Sequence, residues 1–447
     1  MKYETLKTVV LVFLVAVSLY LTWTLWTFQV KYETIDNTEI PEKKHVEQKD
    51  VKDLIKPMKI VLHEKNRHYG TIQEQEIDLV MNEISNWKFY DIGEVKTYKD
   101  NNEIEHIING SKKLDIEFPD EIPFDTYKGI LRMNDRKGSI EDFDRMVIDL
   151  SNPSQKVTNV YFINTKNKNE IKVFSGSASY SGLQAFVNKL QNRINLNQPN
   201  LYQPYSAFKL SNRKTIFLPT NEPKISRYSY YWDKTDSVII EKFKTALFPV
   251  PNLVEKSQEG SIIEYTDGTS FMRANTDQGT IYFTNPGEGS DVQIHGKDLI
   301  KKSNDFVNYY GGWIDNFRYF SKNLKRNQVI FRLYKDGLPV FNPNHLAEVM
   351  LNWGETQIYE YARPYMGQDT LLYINSSEVK LSTAEVVIDS LLNDSKIDNE
   401  KIDNVLIGYQ LKYDPKVKIL LFEPTWYYLS DGTWKPLDIK EEQRGLE

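Results

Sequence analysis

The chain has 447 residues, a formal net charge of −6, 40% hydrophobic and 13% aromatic residues, and no cysteine. At roughly 100–200 residues per domain, its polar bulk holds two to four domains, and the apolar content excludes wholesale disorder. The acidic balance offers no basic face of the kind nucleic acid requires, and the lack of cysteine excludes disulfides and thiol catalysis.

Residues 8–30 (TVVLVFLVAVSLYLTWTLWTFQV) carry no charge, and no second run of this kind follows. A bilayer core needs ~20 apolar residues in a helix, so the segment predicts a transmembrane anchor. A cleaved signal peptide is the alternative, with Ala16-Val17-Ser18 as a small-residue site. Cleavage there would leave Leu19 to Val30 as another apolar stretch at the new N-terminus, and the full 23-residue run exceeds a signal core of ~7–15 residues. Trp23, Trp26 and Tyr32 suit an interfacial aromatic belt. Lys2 and Lys7 outweigh Glu4 in the short tail 1–7, which places the N-terminus in the cytoplasm and the bulk outside the cell membrane. That placement agrees with a cysteine-free exported chain.

Within the anchor, Thr8, Leu11, Val15, Ser18, Thr22, Leu25 and Gln29 recur at spacings of three and four. They line one helix face that collects small and polar residues. Inside lipid, helices associate through such faces, so Leu11, Val15, Ser18, Thr22 and Leu25 form a candidate partner-binding face. The alternative is that Ser and Thr bond back to their own helix.

A charged linker covers 31–57. An N-terminal α+β domain is expected over 58–197. It has strands at 59–63, 114–118, 140–149, 157–164 and 171–175, and helices after Thr71 and over 181–194. Proline and asparagine at 195–204 mark a boundary. A middle α+β domain (198–290) carries a helix over 237–248 and strands at 261–265, 271–274 and 280–284. A C-terminal domain (291–447) reads as helix plus meander. Its helix over 297–310 stops at Gly311-Gly312, and strands follow at 314–321, 329–334, 348–353 and 358–362. A capping box at Ser382-Thr383-Ala384-Glu385 opens the next helix, and strands follow at 405–413, 418–422 and 426–429. Helix-then-meander thus occurs twice, near 297–365 and 378–437. The fold class expected is α+β: a transmembrane helix, then an elongated multi-domain outer portion of antiparallel sheets packed with helices.

Catalytic spacing is missing. His63-Glu64-Lys65-Asn66-Arg67-His68 has one residue too many for H-E-x-x-H; in a helix the two histidines would lie on different faces, so the segment reads as a polar strand-to-helix loop without metal. There is no G-x-S-x-G elbow, and the Gly287-Glu288-Gly289 loop lacks the lysine and helix of a phosphate cradle. No catalytic residue, metal or cofactor is expected. Trp426-Tyr427-Tyr428 and Trp434 could stack on wall sugars or, more simply, pack a meander core.

Several C-terminal stretches carry a resemblance. They are Gly311-Gly312-Trp313 followed by Asp315-Asn316-Phe317-Arg318-Tyr319-Phe320, Asp336-Gly337-Leu338-Pro339-Val340-Phe341-Asn342, and Asn352-Trp353-Gly354-Glu355. Ile407-Gly408-Tyr409, Pro424-Thr425-Trp426 and Asp431-Gly432-Thr433-Trp434 complete the set. Their order and spacing, with the single N-terminal helix, resemble the YycH family over nearly the whole chain; Tyr310 departs, standing where a small polar turn residue is expected. The resemblance implies a non-enzymatic, extracytoplasmic regulator of the WalK (YycG) sensor histidine kinase. It implies contact through transmembrane helices and outer domains, partnership with a YycI-like membrane protein, control of cell-wall metabolism, and restraint of the kinase. A peptidoglycan-binding protein is the alternative function. A wall hydrolase would need two carboxylates converging in a cleft.

Overall fold

Period-two alternation sorts the strands of the first half onto two unlike faces. The computed structural model describes residues 7, 11, 13–20, 48–99, 101–131, 133, 142–166, 170–195, 201–210, 214–232, 237–289, 293–365 and 371–437. Two units emerge, 1–45 and 46–447. In the first, residues 7, 11 and 13–20 are helical. Among the described residues no helix is long and apolar enough to cross a membrane. Residues 8–10, 12 and 21–47, which hold the rest of the expected anchor and most of the linker, lie outside the described residues.

The second unit is mixed α+β with two large sheets. The first contains β1 (Lys59–Glu64), β2 (Arg67–Thr71), β3 (Lys88–Tyr90), β4 (Lys96–Tyr98), β5 (Lys113–Ile122), β6 (Phe143–Asp149), β7 (Val157–Asn164), β8 (Ile171–Ser179), β9 (Gln203–Lys209) and β10 (Thr215–Pro219). Their order is β10-β9-β2-β1-β5-β6-β7-β8-β3, with β4 also on β8. The register aligns Ile60, Ile116, Met146, Phe162 and Phe174 on one face. The helices Glu74–Ile84, Phe124–Ile130 and Leu183–Asn195 cover that face in one apolar core. Arg193 grips the buried Glu76 carboxylate and ties the first helix to the last.

The opposite face is charged. Val61, Asp115 and Val147 align on it, as do Lys59, Glu117 and Arg145. The helix Asn101–Asn109 covers one part through Ile104 and Ile108. The β9–β10 hairpin covers another, with Tyr205 and Phe217 against Val61. Arg145 reaches Asp115 at 3.1 Å and Glu117 at 3.0 Å, and Lys59 reaches Glu117 at 3.0 Å.

The second sheet contains β11 (Lys224–Trp232), β12 (Glu255–Glu259), β13 (Ile262–Thr266), β14 (Phe271–Asn275), β15 (Thr280–Thr284), β16 (Phe317–Asn323), β17 (Gln328–Lys335), β18 (Leu338–Phe341), β19 (Glu348–Trp353), β20 (Ile358–Pro364), β21 (Leu371–Lys380), β22 (Ile402–Asp414), β23 (Ile419–Ser430) and β24 (Thr433–Pro436). The order is β12-β13-β14-β15-β20-β19-β17-β18-β22-β23-β11-β21, with β16 on β17 and β24 on β23. The strands of the middle stretch are thus shared between the sheets: β9 and β10 belong to the first, β11 to β15 to the second. A short parallel pairing of Val340 and Phe341 with Tyr409 and Gln410 joins the two meanders.

Several expected elements stand, with small shifts at their ends. The helix Gly296–Tyr309 stops where Gly311 turns left-handed at φ +104. The Asp336-Gly337 hairpin has φ of +51 and +79, and a Cβ on Gly337 would meet the Ile72 carbonyl at 2.3 Å, so this turn packs directly on the first half. Two strands expected at 418–422 and 426–429 are one, β23. Pro424 is tolerated because pairing to β11 ends at Phe422 and pairing to β24 begins at Tyr427. The segment read as a loop at 64–70 is instead the β1–β2 hairpin, with Lys65 in the left-handed region.

The sheets meet at the charged face. Asn404 of β22 donates to Glu117 Oε1 at 3.1 Å. Burial alone would push the Glu117 carboxyl up. The charges of Lys59, Arg145 and Lys214 instead hold it well below the usual carboxylate range. Truncating one member of a buried pair leaves an uncompensated charge and costs about 3–5 kcal/mol. Glu117→Ala is therefore expected to lower unfolding free energy by that order in urea titrations of the full chain; parent-like stability would contradict the network.

Candidate interaction surface

The expected partner-binding face is only partly described. At 100° per residue, Leu11, Val15 and Ser18 fall on one side of the helical segment, and all three are exposed. Thr22 and Leu25 lie outside the described residues.

The aromatic residues considered for wall sugars are used by the core. Trp426 and Tyr427 are buried, and Tyr428 and Trp434 are half-buried. Phe341 stacks on Tyr427 with ring centroids 4.1 Å apart, and Trp426 Nε1 donates to the Ser382 carbonyl at 3.0 Å.

Among the described residues no group of three or more His, Asp or Glu side chains is placed to hold a metal ion. The two histidines of the near-motif face each other across the β1–β2 ladder, Nδ1 to Nδ1 at 2.7 Å, with Phe217 packed edge-on to His63. One ring must donate and the other accept, so the contact needs at least one neutral imidazole. Asp115 approaches His63 Nε2 at 3.7 Å but is held by Arg145. Asp115 and Glu117 stand two residues apart on β5, and both are held by Arg145.

The most open feature is an edge. Among the described residues β21 pairs with β11 alone, and every residue from Leu372 to Glu378 is exposed. Leu372, Tyr373 and Ile374 are 64%, 59% and 47% accessible, an apolar run at the start of an unpaired ladder. Such an edge can accept a further strand. A bulge at Ile374 and the charges of Glu378 and Lys380 oppose indiscriminate pairing. Beside it, Tyr228 and Tyr230 line one face of β11. Lys335 Nζ stands 4.7 Å above the Tyr228 ring, and Tyr228 Oη donates to Asp336 at 2.5 Å. Tyr230 meets Tyr373 and Phe422 edge-on. Sequence reading missed both strands; the alternation of KISRYSYYW and the LLYI run were the available signals.

The whole chain matches described proteins. Residues 4–192 match the family model "YycH protein, N-terminal domain", and 213–443 match "YycH protein, C-terminal domain". The chain belongs to the YycH family. It is 27% identical to the "Two-component system WalR/WalK regulatory protein YycH" of Bacillus subtilis (strain 168), over 98% of this chain and 97% of that protein. The crystal structure of YycH from Bacillus subtilis shares the fold, with a TM-score of 0.67 at 22% identity, covering 88% of this chain and 98% of that one.

The histidine pair gives a pH dependence. Burial, and then repulsion from His63, lower His68 from 6.5 to about 4. The unfolded chain therefore takes up the proton first. The contribution of the neutral ring to stability is complete above pH 6.5 and is lost as pH falls towards about 4. Water around the half-exposed ring reduces the size of the effect. His68→Gln should flatten the fall in urea midpoint between pH 7.5 and 5; an unchanged fall would assign it elsewhere.

Proposed function

We propose that this YycH-family chain is a non-catalytic regulator of a WalK-type sensor histidine kinase in a two-component system governing cell-wall metabolism. Residues 8–30 anchor it in the cell membrane as a single pass, with the N-terminus in the cytoplasm and the large unit outside. A YycI-like membrane protein is its companion, and the assembly restrains the kinase.

The observation that carries this reading is the end-to-end match to a protein named for WalR/WalK regulation. The side-chain chemistry is consistent with it. Asp115 and Glu117 are committed to buried ion pairs, and Trp426 and Tyr427 to the core. Trp426 and Tyr427 are thus withdrawn from any sugar-stacking surface.

A regulator needs only unequal affinity for two kinase states; ~1–3 kcal/mol of difference changes output several-fold or more. Two surfaces suit the task. The Leu11, Val15, Ser18, Thr22 and Leu25 face offers small and polar groups to helices in lipid, where such hydrogen bonds contribute about 0.6–2 kcal/mol each. The β21 edge offers backbone hydrogen bonds to an outer partner.

Ser18→Leu with Thr22→Leu should reduce kinase recovered on purification of the tagged full chain from membranes, with unchanged thermal unfolding of the large unit. Full recovery of the kinase would remove the anchor face from the mechanism.

A further inference from the structure

A cavity lies far in sequence from the β21 edge. It encloses ≈ 290 Å³, against ≈ 90 Å³ beside Tyr230 and ≈ 40 Å³ where the two sheets meet. Its volume is close to the lower end of small-molecule sites, about 300 Å³. Leu62 and Leu150 give it an apolar floor, and Glu64, Lys112, Gln184 and Gln191 bring polar groups to it.

These groups are held in place. Glu64 Oε1 accepts from Gln191 Nε2 at 3.1 Å, which fixes the carboxylate against the helix Leu183–Asn195 and leaves its second oxygen available. Lys112 takes a left-handed backbone, φ +59. Its N–H donates to the His63 carbonyl at 2.6 Å, and its own carbonyl accepts from Leu150 N at 2.8 Å. An uncommon conformation clamped on both sides is over-determined by its surroundings. It keeps Lys112 beside the His63–Glu64 peptide, exposed, and with no described side chain pairing its ammonium.

We propose that this cleft binds a small zwitterion carrying both a free ammonium and a free carboxylate: an amino acid or short peptide. The opposite charges decide the class. A simple anion meets Glu64 as well as Lys112, and a simple cation meets Lys112 as well as Glu64; a molecule with both ends charged satisfies both by charge-assisted hydrogen bonds. Gln184 and Gln191 offer donors and acceptors to a peptide group between the ends. Among the described residues no aromatic ring lines the cleft, so they offer a sugar no face to stack on. This inference stands on the cavity alone and is independent of kinase regulation.

The test is isothermal titration of the detergent-solubilised full chain with L-alanyl-L-alanine and D-alanyl-D-alanine. N-acetylated dipeptide, dipeptide amide and N-acetylglucosamine serve as comparisons. Saturable binding of at least one dipeptide is expected, weakened at least about tenfold by capping either end. Glu64→Gln, which keeps an acceptor for Gln191, and Lys112→Asn, which tolerates the left-handed backbone, should each weaken it similarly with unchanged thermal unfolding. If one variant fails to fold, the other and the capped ligands still decide. No saturable dipeptide binding, binding indifferent to capping or to both substitutions, or preference for the sugar would overturn the proposal.

Discussion

Two cations and two carboxylates buried on one sheet face must be paired, and the large unit is built around pairing them. Lys59 and Arg145 stand against Asp115 and Glu117, with Arg145 contacting both carboxylates and the charge of the half-buried Lys214 adding to theirs. Such a cluster is weak evidence of stability in itself, because desolvation offsets much of the attraction. What it does supply is register. A one-residue slip of β1 against β5 would turn Lys59 into the apolar core and Ile60 out of it. Asn404 extends the constraint to the second sheet, and the Gly337 turn packs on Ile72 in the same region. Both sheets therefore belong to one unit spanning 46–447.

That arrangement decides what is left for recognition. Asp115 and Glu117 are committed to ion pairs, and Trp426 and Tyr427 to the core. The surfaces that stay open are of another kind. β21 presents a ladder edge, and the cleft beside Glu64 and Lys112 presents opposite charges on an apolar floor. The chain belongs to a family whose curated relative is named a regulatory protein.

Local signals were legible, and non-local pairings were not. The helices Leu183–Asn195, Ser237–Leu247 and Gly296–Tyr309 announce themselves through apolar stripes and stop residues. The hairpins through Thr266-Asp267-Gly268 and Asp336-Gly337 do so through their turns. The β1–β2 hairpin turns at Lys65-Asn66 without a glycine, so His63 and His68 could not be seen as cross-strand partners. β11 and β21 lie far apart in the chain and have one or both faces wet, which blurs alternation into a mixed pattern. The charge network was equally hidden: Lys59, Glu117, Arg145 and Asn404 meet only because β1, β5, β6 and β22 converge. Of the candidate anchor face, Leu11, Val15 and Ser18 are placed on one helix side, and the remainder lies outside the described residues.

The most direct test of the regulatory account is a reporter of kinase output in cells lacking the chain. Such cells would be complemented either with residues 1–35 or with the full protein. Control through helix contacts in the bilayer predicts that residues 1–35 restore most of the normal output. If the short piece reaches the membrane and changes nothing while the full chain restores output, the regulatory contact lies in the large unit and the Ser18–Thr22 face is only an anchor.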